Sequence, residues 1–77
     1  MKIKRVSTFG IRLKQLRKKR GLSQPKLSEE VPTAPKSSIA EWELGNREPK
    51  IEVVIDLAKF FGVSVGYMAG VEETPPE

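Results

Sequence analysis

The chain has 77 residues, of which 38% are hydrophobic and 31% are charged, and its formal net charge is +4. A chain of this length forms one domain that buries about 60% of its unfolded surface, and its apolar content is too high for a disordered protein. The sequence contains no cysteine and no histidine, which excludes disulfides and thiolate metal sites and removes the commonest general base. We therefore expect a compact domain that is not an enzyme and uses no cofactor or metal.

Positive charge is concentrated in the first third of the chain. Residues 1–26 contain ten Lys or Arg residues and no acidic residue, whereas residues 27–77 contain four basic and ten acidic residues. A basic region of this kind attracts polyanions and speeds their encounter with the protein. Charge alone does not distinguish DNA from RNA or anionic lipid, or from a solvated basic surface that has no partner.

The first apolar segment, residues 6–10, is flanked by charged residues. It is too short for the apolar region of a signal peptide and for a membrane span. We therefore expect a cytoplasmic protein that makes no contact with membranes.

A flexible basic arm at residues 1–7 is predicted to precede the first helix, because it has no helical period. Helix one is predicted over residues 8–19, since Gly21 provides a left-handed end. Arg17 lies at the edge of its buried face. Ile11 lies opposite, as either a single exposed apolar residue or part of a contact with another molecule. The apolar stripe consists of Phe9, Leu13, Leu16 and the stem of Arg20.

Helix two is predicted from Gln24 to about Val31. Ser23 is a suitable N-cap, and Pro25 is tolerated in the first turn because no backbone donor is needed there. Lys26 opposes the helix dipole, so it is either placed for an anion or simply solvated. The inward residues are Leu27 and Val31.

Helix three is predicted over Lys36–Leu44, between the connector at residues 32–35 and Gly45-Asn46. At about 100° per residue, the inward side contains Ser38, Ile39 and Trp42. The opposite side contains Lys36, Ser37, Ala40, Glu41 and Leu44. This outward set is chemically mixed and mostly small, which suits insertion into a groove. We interpret the segment as a recognition helix for double-stranded DNA.

Two more helices are predicted before a disordered tail at residues 71–77. Helix four runs from Ile51 to Phe61, and Ser64 caps a short helix five. The inward residues of helix four are Ile51, Val54, Leu57, Ala58 and Phe61. Its further apolar residues, Val53, Ile55 and Phe60, indicate either a surrounding core or a covering partner.

The chain resembles the Cro/cI-type phage repressor helix-turn-helix family over about residues 8–70. Besides helix one, the resemblance rests on Gly21-Leu22-Ser23-Gln24, Leu27-Ser28, Ile39, Trp42-Glu43, Gly45, Pro49 and Gly62-Val63-Ser64-Val65. It implies an all-α, compact five-helix domain of the lambda-repressor-like type. In this fold, helices two and three form the helix-turn-helix and helix three lies in the major groove.

The chain departs from the family pattern in the turn and at the end of helix three. It has one more residue than usual between Leu27 and Ile39, and residues 32–33 replace the expected glycine. The start of helix three is therefore open, and Thr33 is an alternative early cap. Leu44 stands where relatives often have a polar or basic residue.

The resemblance also implies roles for individual residues. Arg17 and Glu43 match an ion pair between helices one and three, and Trp42 and Phe61 match core positions. The predicted base contacts are Lys36, Ser37 and Glu41, to which Ala40 is added because its methyl group can meet a thymine methyl. The predicted contacts to the DNA backbone are Gln24, Lys26, Asn46 and Arg47.

These observations predict a sequence-specific regulator of transcription that binds double-stranded DNA and acts as a repressor. The resemblance implies that it binds as a homodimer on a two-fold operator. The candidate dimer residues are Val65, Gly66, Met68, Ala69 and Phe60, which could equally be buried within one monomer. One alternative is an antitoxin or adaptor that binds a protein partner through Ile11, Val53 and Phe60. Another is a polyanion binder without sequence preference.

Overall fold

The computed structural model describes residues 8–71, which form five α-helices and no strand. The helices are α1 (Thr8–Lys19), α2 (Gln24–Glu30), α3 (Lys36–Leu44), α4 (Ile51–Phe61) and α5 (Val65–Ala69). The prediction of an all-α five-helix domain is confirmed, although α2 ends one residue before the predicted position. The predicted arm at residues 1–7, and residues 72–77 of the predicted tail, lie outside the described residues. No helix within residues 8–71 has the length and apolar content needed to cross a membrane.

Local caps determine where several helices begin and end. The Ser23 hydroxyl accepts a hydrogen bond from the Lys26 backbone N–H at 3.2 Å and so caps α2. Gly45 ends α3 with a left-handed φ of 80°, a conformation that glycine adopts without strain. The next amide, at Asn46, donates to the Glu41 carbonyl at 3.0 Å. Helix α3 therefore has a defined C-terminal end.

The start of α3 is fixed by the turn that precedes it. Thr33 does not cap the helix, because its Oγ1 donates instead to Oδ2 of Asp56 on α4 at 2.8 Å. Pro35 occupies the N-cap position and makes no side-chain cap. A proline also disfavours helical geometry at the residue before it. Helix α3 thus begins at Lys36, and the alternative of an earlier start at Thr33 is wrong.

Each of the five helices contributes one large, fully buried side chain to a common core. These side chains are Leu13, Leu27, Ile39, Leu57 and Met68. Trp42 and Phe61 are also buried there, as predicted, and the Trp42 ring meets Phe9 edge-on at a centroid distance of 6.0 Å.

The core also corrects two expectations about apolar residues. Ile51 was predicted to face inward, but it is 59% exposed because the buried face of α4 begins only at Val54. Met68 is fully buried within the monomer, so its side chain does not belong to a free dimer surface. On α4, Val53 and Phe60 pack against the core and reduce the surplus apolar surface predicted for this helix.

Helices α1 and α3 cross closely at Gly10. A Cβ atom at this position would overlap the Trp42 carbonyl oxygen and approach the Cα of Glu43 at 3.3 Å. Only glycine allows this approach without a shift of backbone. The crossing brings Arg17, two turns further along α1, next to the end of α3.

Candidate nucleic-acid interface

A buried ion pair joins α1 to α3. The Arg17 Nε donates to Glu43 Oε2 at 2.7 Å, and its Nη2 donates to Glu43 Oε1 at 2.8 Å. The remaining Nη1 donates to the Leu22 carbonyl at 2.9 Å. Arg17 is only 7% exposed, and the two parallel bonds set the relative orientation of both side chains. The structure thus contains the predicted pair and adds a third bond to the turn before α2.

The environment of Arg17 favours its charged form. Hydrogen bonding to Glu43 raises the pKa of Arg17 above its ordinary value, although burial opposes this shift and the negative charge of Glu43 supports it. Within residues 8–71, no buried side-chain nitrogen or oxygen lacks a hydrogen-bond partner. The pair is therefore fully satisfied, which is the condition under which buried charges stabilise one geometry.

Gln24 extends this network to the start of α2. Its Nε2 donates to Glu43 Oε1 at 3.1 Å. Because a carboxylate oxygen can only accept, the NH₂ group of the amide faces Glu43, and its second N–H remains available for another acceptor. One carboxylate of α3 thus holds residues from both α1 and α2.

The outward side of α3 carries the predicted base contacts. Lys36 and Ser37 are exposed, and Ala40 and Glu41 are half-buried one turn later. Residues at this spacing share one side of a helix. Because Ile39 and Trp42 hold the opposite side in the core, these four side chains face away from the rest of the domain.

The four predicted backbone contacts surround α3 but differ in their surroundings. Asn46 and Arg47 are exposed directly after the helix. Gln24 is half-buried and bonded to Glu43, as described above. Lys26 is exposed and lies 3.5 Å from the Glu29 carboxylate, in a surface ion pair that contributes little to stability.

Two hollows flank α3, and both contain basic residues that the sequence analysis missed. On the α1 side, Lys14 and Lys18 line a hollow together with Gln24. On the opposite side, Lys50 lines a hollow together with Arg47. Which lysines lie beside α3 depends on how the helices cross. The composition of the chain therefore could not identify these residues. The spacing of Lys14 and Lys18 on either side of Arg17 was the available signal.

The candidate dimer residues differ in how far they are buried. Phe60 is half-buried, and the Arg20 guanidinium lies over its ring at 4.9 Å. Val65 and Gly66 are half-buried, and Ala69 is exposed. Among residues 8–71, the exposed large apolar side chains are instead Ile11, Leu44, Ile51 and Val71.

Comparison with known proteins places this architecture in a family. Residues 10–71 match the helix-turn-helix domain family. Over 64 residues the chain is 36% identical to the uncharacterized HTH-type transcriptional regulator YobD of Bacillus subtilis (strain 168), which covers 83% of this chain and 56% of that protein. Over 66 residues it is 32% identical to the cryptic phage CTXphi transcriptional repressor RstR of Vibrio cholerae, which covers 86% of this chain and 59% of that protein. The chain thus spans somewhat more than half the length of these relatives.

The fold is shared with a protein whose structure has been solved. The restriction-modification controller protein C.AhdI from Aeromonas hydrophila superposes with a TM-score of 0.70 at 27% identity. This match covers 82% of the present chain and 94% of that one. The resemblance stated from the sequence is therefore confirmed. The chain belongs to the helix-turn-helix domain family.

Proposed function

We propose that this protein is a sequence-specific regulator of transcription that binds double-stranded DNA through α3 and acts as a repressor. The observation that carries the proposal is the position of α3. Its inward side is held in the core by Ile39 and Trp42 and by the ion pair of Glu43 with Arg17. Its outward side is left open for the major groove, which is wide enough for an α-helix.

The outward residues have the chemistry needed to read base edges. Lys36 can donate to guanine O6 and N7, and Ser37 can pair with several base edges. The Ala40 methyl group can contact the thymine methyl, and Glu41 can accept from cytosine N4. A carboxylate in a groove lined by phosphates is repelled unless it meets such a donor. Glu41 therefore acts mainly by excluding incorrect bases.

Contacts to the DNA backbone set the register of α3 in the groove. Gln24 and Lys26 at the start of α2, and Asn46 and Arg47 after α3, are the proposed contacts. Hydrogen bonds to phosphates position a protein on the duplex and carry little sequence information. Gln24 can bind Glu43 and a phosphate at the same time, because one N–H of its amide donates to Glu43 and the other is free for a phosphate.

The proposed assembly is a homodimer on a two-fold operator, with half-sites about one helical turn or 34 Å apart. The proposed dimer surface consists of Val65, Gly66, Ala69 and Phe60, without the buried Met68. Repression would follow from occupation of a promoter, which needs no second domain. Among the relatives, RstR is named as a transcriptional repressor and BcrR of Enterococcus faecalis as a transcriptional activator, so the sign of regulation is measured in the test below.

Selection from a random DNA pool at a stated salt concentration tests the proposal. We expect one enriched motif with two-fold symmetry, and a promoter carrying that motif should be transcribed less when the protein is added. A pool without any enriched motif would contradict sequence-specific binding. An increase in transcription would contradict the proposed repression but not the proposed DNA binding. Sedimentation with and without the selected duplex would test the dimer.

Only part of the apolar surface on which the antitoxin or adaptor alternative rests is exposed. Ile11 is 43% exposed, but Val53 and Phe60 pack against the core. The pool selection also distinguishes this alternative, because a module that mainly binds a protein partner would enrich no DNA motif.

A further inference from the structure

The hollow on the α1 side of α3 has two lysines in its lining, a composition that suits an anion. It encloses about 370 Å³ and is bordered by Lys14 and Lys18 on α1, Gln24 at the start of α2, and Ala40 and Leu44 on α3. The buried pair of Arg17 and Glu43 completes its lining. The hollow therefore lies between α1 and the outward side of α3, and it shares Ala40 and Leu44 with that side.

The two lysines supply the positive charge of this hollow. Lys14 and Lys18 are one helical turn apart, so their side chains project from the same side of α1. Both are exposed. Glu43 would repel an anion, but its two oxygens are bonded to the Arg17 guanidinium. Arg17 thus neutralises the only carboxylate in the lining and leaves the lysine charges uncompensated.

The distribution of ion pairs distinguishes these lysines from Lys26. Lys26 lies 3.5 Å from the Glu29 carboxylate. Among residues 8–71, neither Lys14 nor Lys18 is paired with a carboxylate. Six N–H donors of the two ammonium groups are consequently available on one side of the hollow.

An exposed leucine forms the edge of the hollow nearest the end of α3. Leu44, the last residue of α3, is 62% exposed, although the other large apolar residues of this helix are buried. A free anion would gain nothing from this apolar edge. A nucleic-acid backbone presents an apolar sugar face beside each phosphate, and Leu44 and the lysines together match that combination.

We propose that this hollow binds a phosphate of the DNA backbone, with Lys14 and Lys18 donating to its oxygens and Leu44 packing against the adjoining deoxyribose. The inference rests on the proposed DNA-binding function. Arg47 and Lys50 line the hollow on the opposite side of α3. The DNA backbone is therefore held on both sides of the recognition helix, and α1 takes part in binding.

The salt dependence of DNA binding tests this site. The full chain and its Lys14→Ala/Lys18→Ala variant are titrated with the selected duplex and with an unrelated duplex at several salt concentrations. Each neutralised phosphate contributes about 0.9 to the slope of log K against log salt concentration. Because the two lysines bind the same phosphate, we expect the double substitution to reduce that slope by about 0.9 on both duplexes. Lys14→Arg/Lys18→Arg should retain the slope of the unaltered chain.

A matched control removes the same charge from other parts of the surface. Lys19 lies on the side of α1 that meets Phe61 and Tyr67, and Lys59 borders a hollow with Thr33 and Asp56. We expect Lys19→Ala/Lys59→Ala to change the slope much less. Equal reductions in the two double variants would overturn the proposal, because net charge alone would then explain both.

The contribution of Leu44 is tested separately. Leu44→Ala should weaken binding to both duplexes while the salt slope stays the same, because the lost contact is apolar. An unchanged affinity would overturn the proposed sugar contact. Failure of the pool selection would contradict sequence-specific recognition but would leave the slope comparison on any duplex intact. The two proposals can therefore fail independently.

Discussion

Thr33 donates a hydrogen bond through Oγ1 to Oδ2 of Asp56 at 2.8 Å, which ties the turn before α3 to α4. We expect Thr33→Val to lower the free energy of unfolding by about 1 kcal/mol, without changing the DNA motif that is selected. Asp56→Ala should cost little more once Thr33 has been replaced. Urea denaturation of the two single variants and the double variant measures this coupling. Additive losses would show that the bond does not stabilise the turn.

The ion pair between Arg17 and Glu43 predicts strongly non-additive substitutions. Arg17→Met leaves a buried carboxylate without its partner, and we expect a loss of about 3 kcal/mol. Glu43→Leu leaves the Arg17 charge unpaired and should cost a similar amount. Because the double variant has no unpaired buried charge, it should be more stable than either single variant. Denaturation midpoints measure this, and a double variant as unstable as the sum of the two would contradict the prediction.

The close crossing of α1 and α3 predicts that Gly10 cannot be replaced. Gly10→Ala should gain up to about 1 kcal/mol from helix propensity. The overlap with the Trp42 carbonyl should cost about 1–3 kcal/mol or more, and so outweigh this gain. Gly21→Ala provides the comparison, because its added Cβ meets open space although its φ of 69° is unfavourable for alanine. Thermal unfolding would disprove the crossing geometry if Gly10→Ala were stabilising.

Because some of the proposed contacts around α3 are to the DNA backbone and others are to bases, we predict two kinds of DNA-binding defect. Arg47→Ala should weaken binding evenly across sequences, because a phosphate contact carries no base information. Ser37→Ala should instead change the preferred bases at one position of each half-site, since Ser37 is on the outward side of α3. Pool selection with both variants measures the difference. The reverse assignment would show that α3 lies in the groove in another orientation.

The proposed dimer surface predicts different effects for two adjacent residues of α5. Ala69 is exposed, so Ala69→Glu should weaken self-association and leave the unfolding free energy of the monomer nearly unchanged. Met68 is fully buried, so Met68→Ala should cost about 2–5 kcal/mol in stability. Sedimentation and denaturation distinguish the two effects. Unaltered association of the Ala69→Glu variant would place the dimer contact elsewhere.

The ends of most helices could be predicted because their signals are local. Ser23 and Ser64 are caps that act on amides within three residues, and Gly45 ends α3 through its own backbone conformation. The start of α3 could not be fixed in this way. It depends on whether Thr33 bonds to its own turn or to Asp56, which is distant in sequence and close only in the folded chain.

The burial of residues at helix ends and the identity of the residues beside α3 could not be predicted without the tertiary structure. Ile51 has the helical spacing of a core residue, but packing against the core begins two residues later, at Val53. Lys14 and Lys18 differ from Lys19, the third lysine of α1, in the neighbours that they face. Those neighbours are set by the crossing at Gly10, which the sequence pattern does not indicate.

The presence of one fully buried side chain from every helix has a consequence for folding. No helix has a core of its own, so the loss of any one helix exposes apolar surface on the helices that pack against it. Local opening of α3 should therefore cost nearly as much free energy as global unfolding, and the domain should unfold as a single cooperative unit. The proposed recognition surface accordingly exists only in the fully folded molecule, and it would meet DNA already ordered, without the entropic cost of folding on contact.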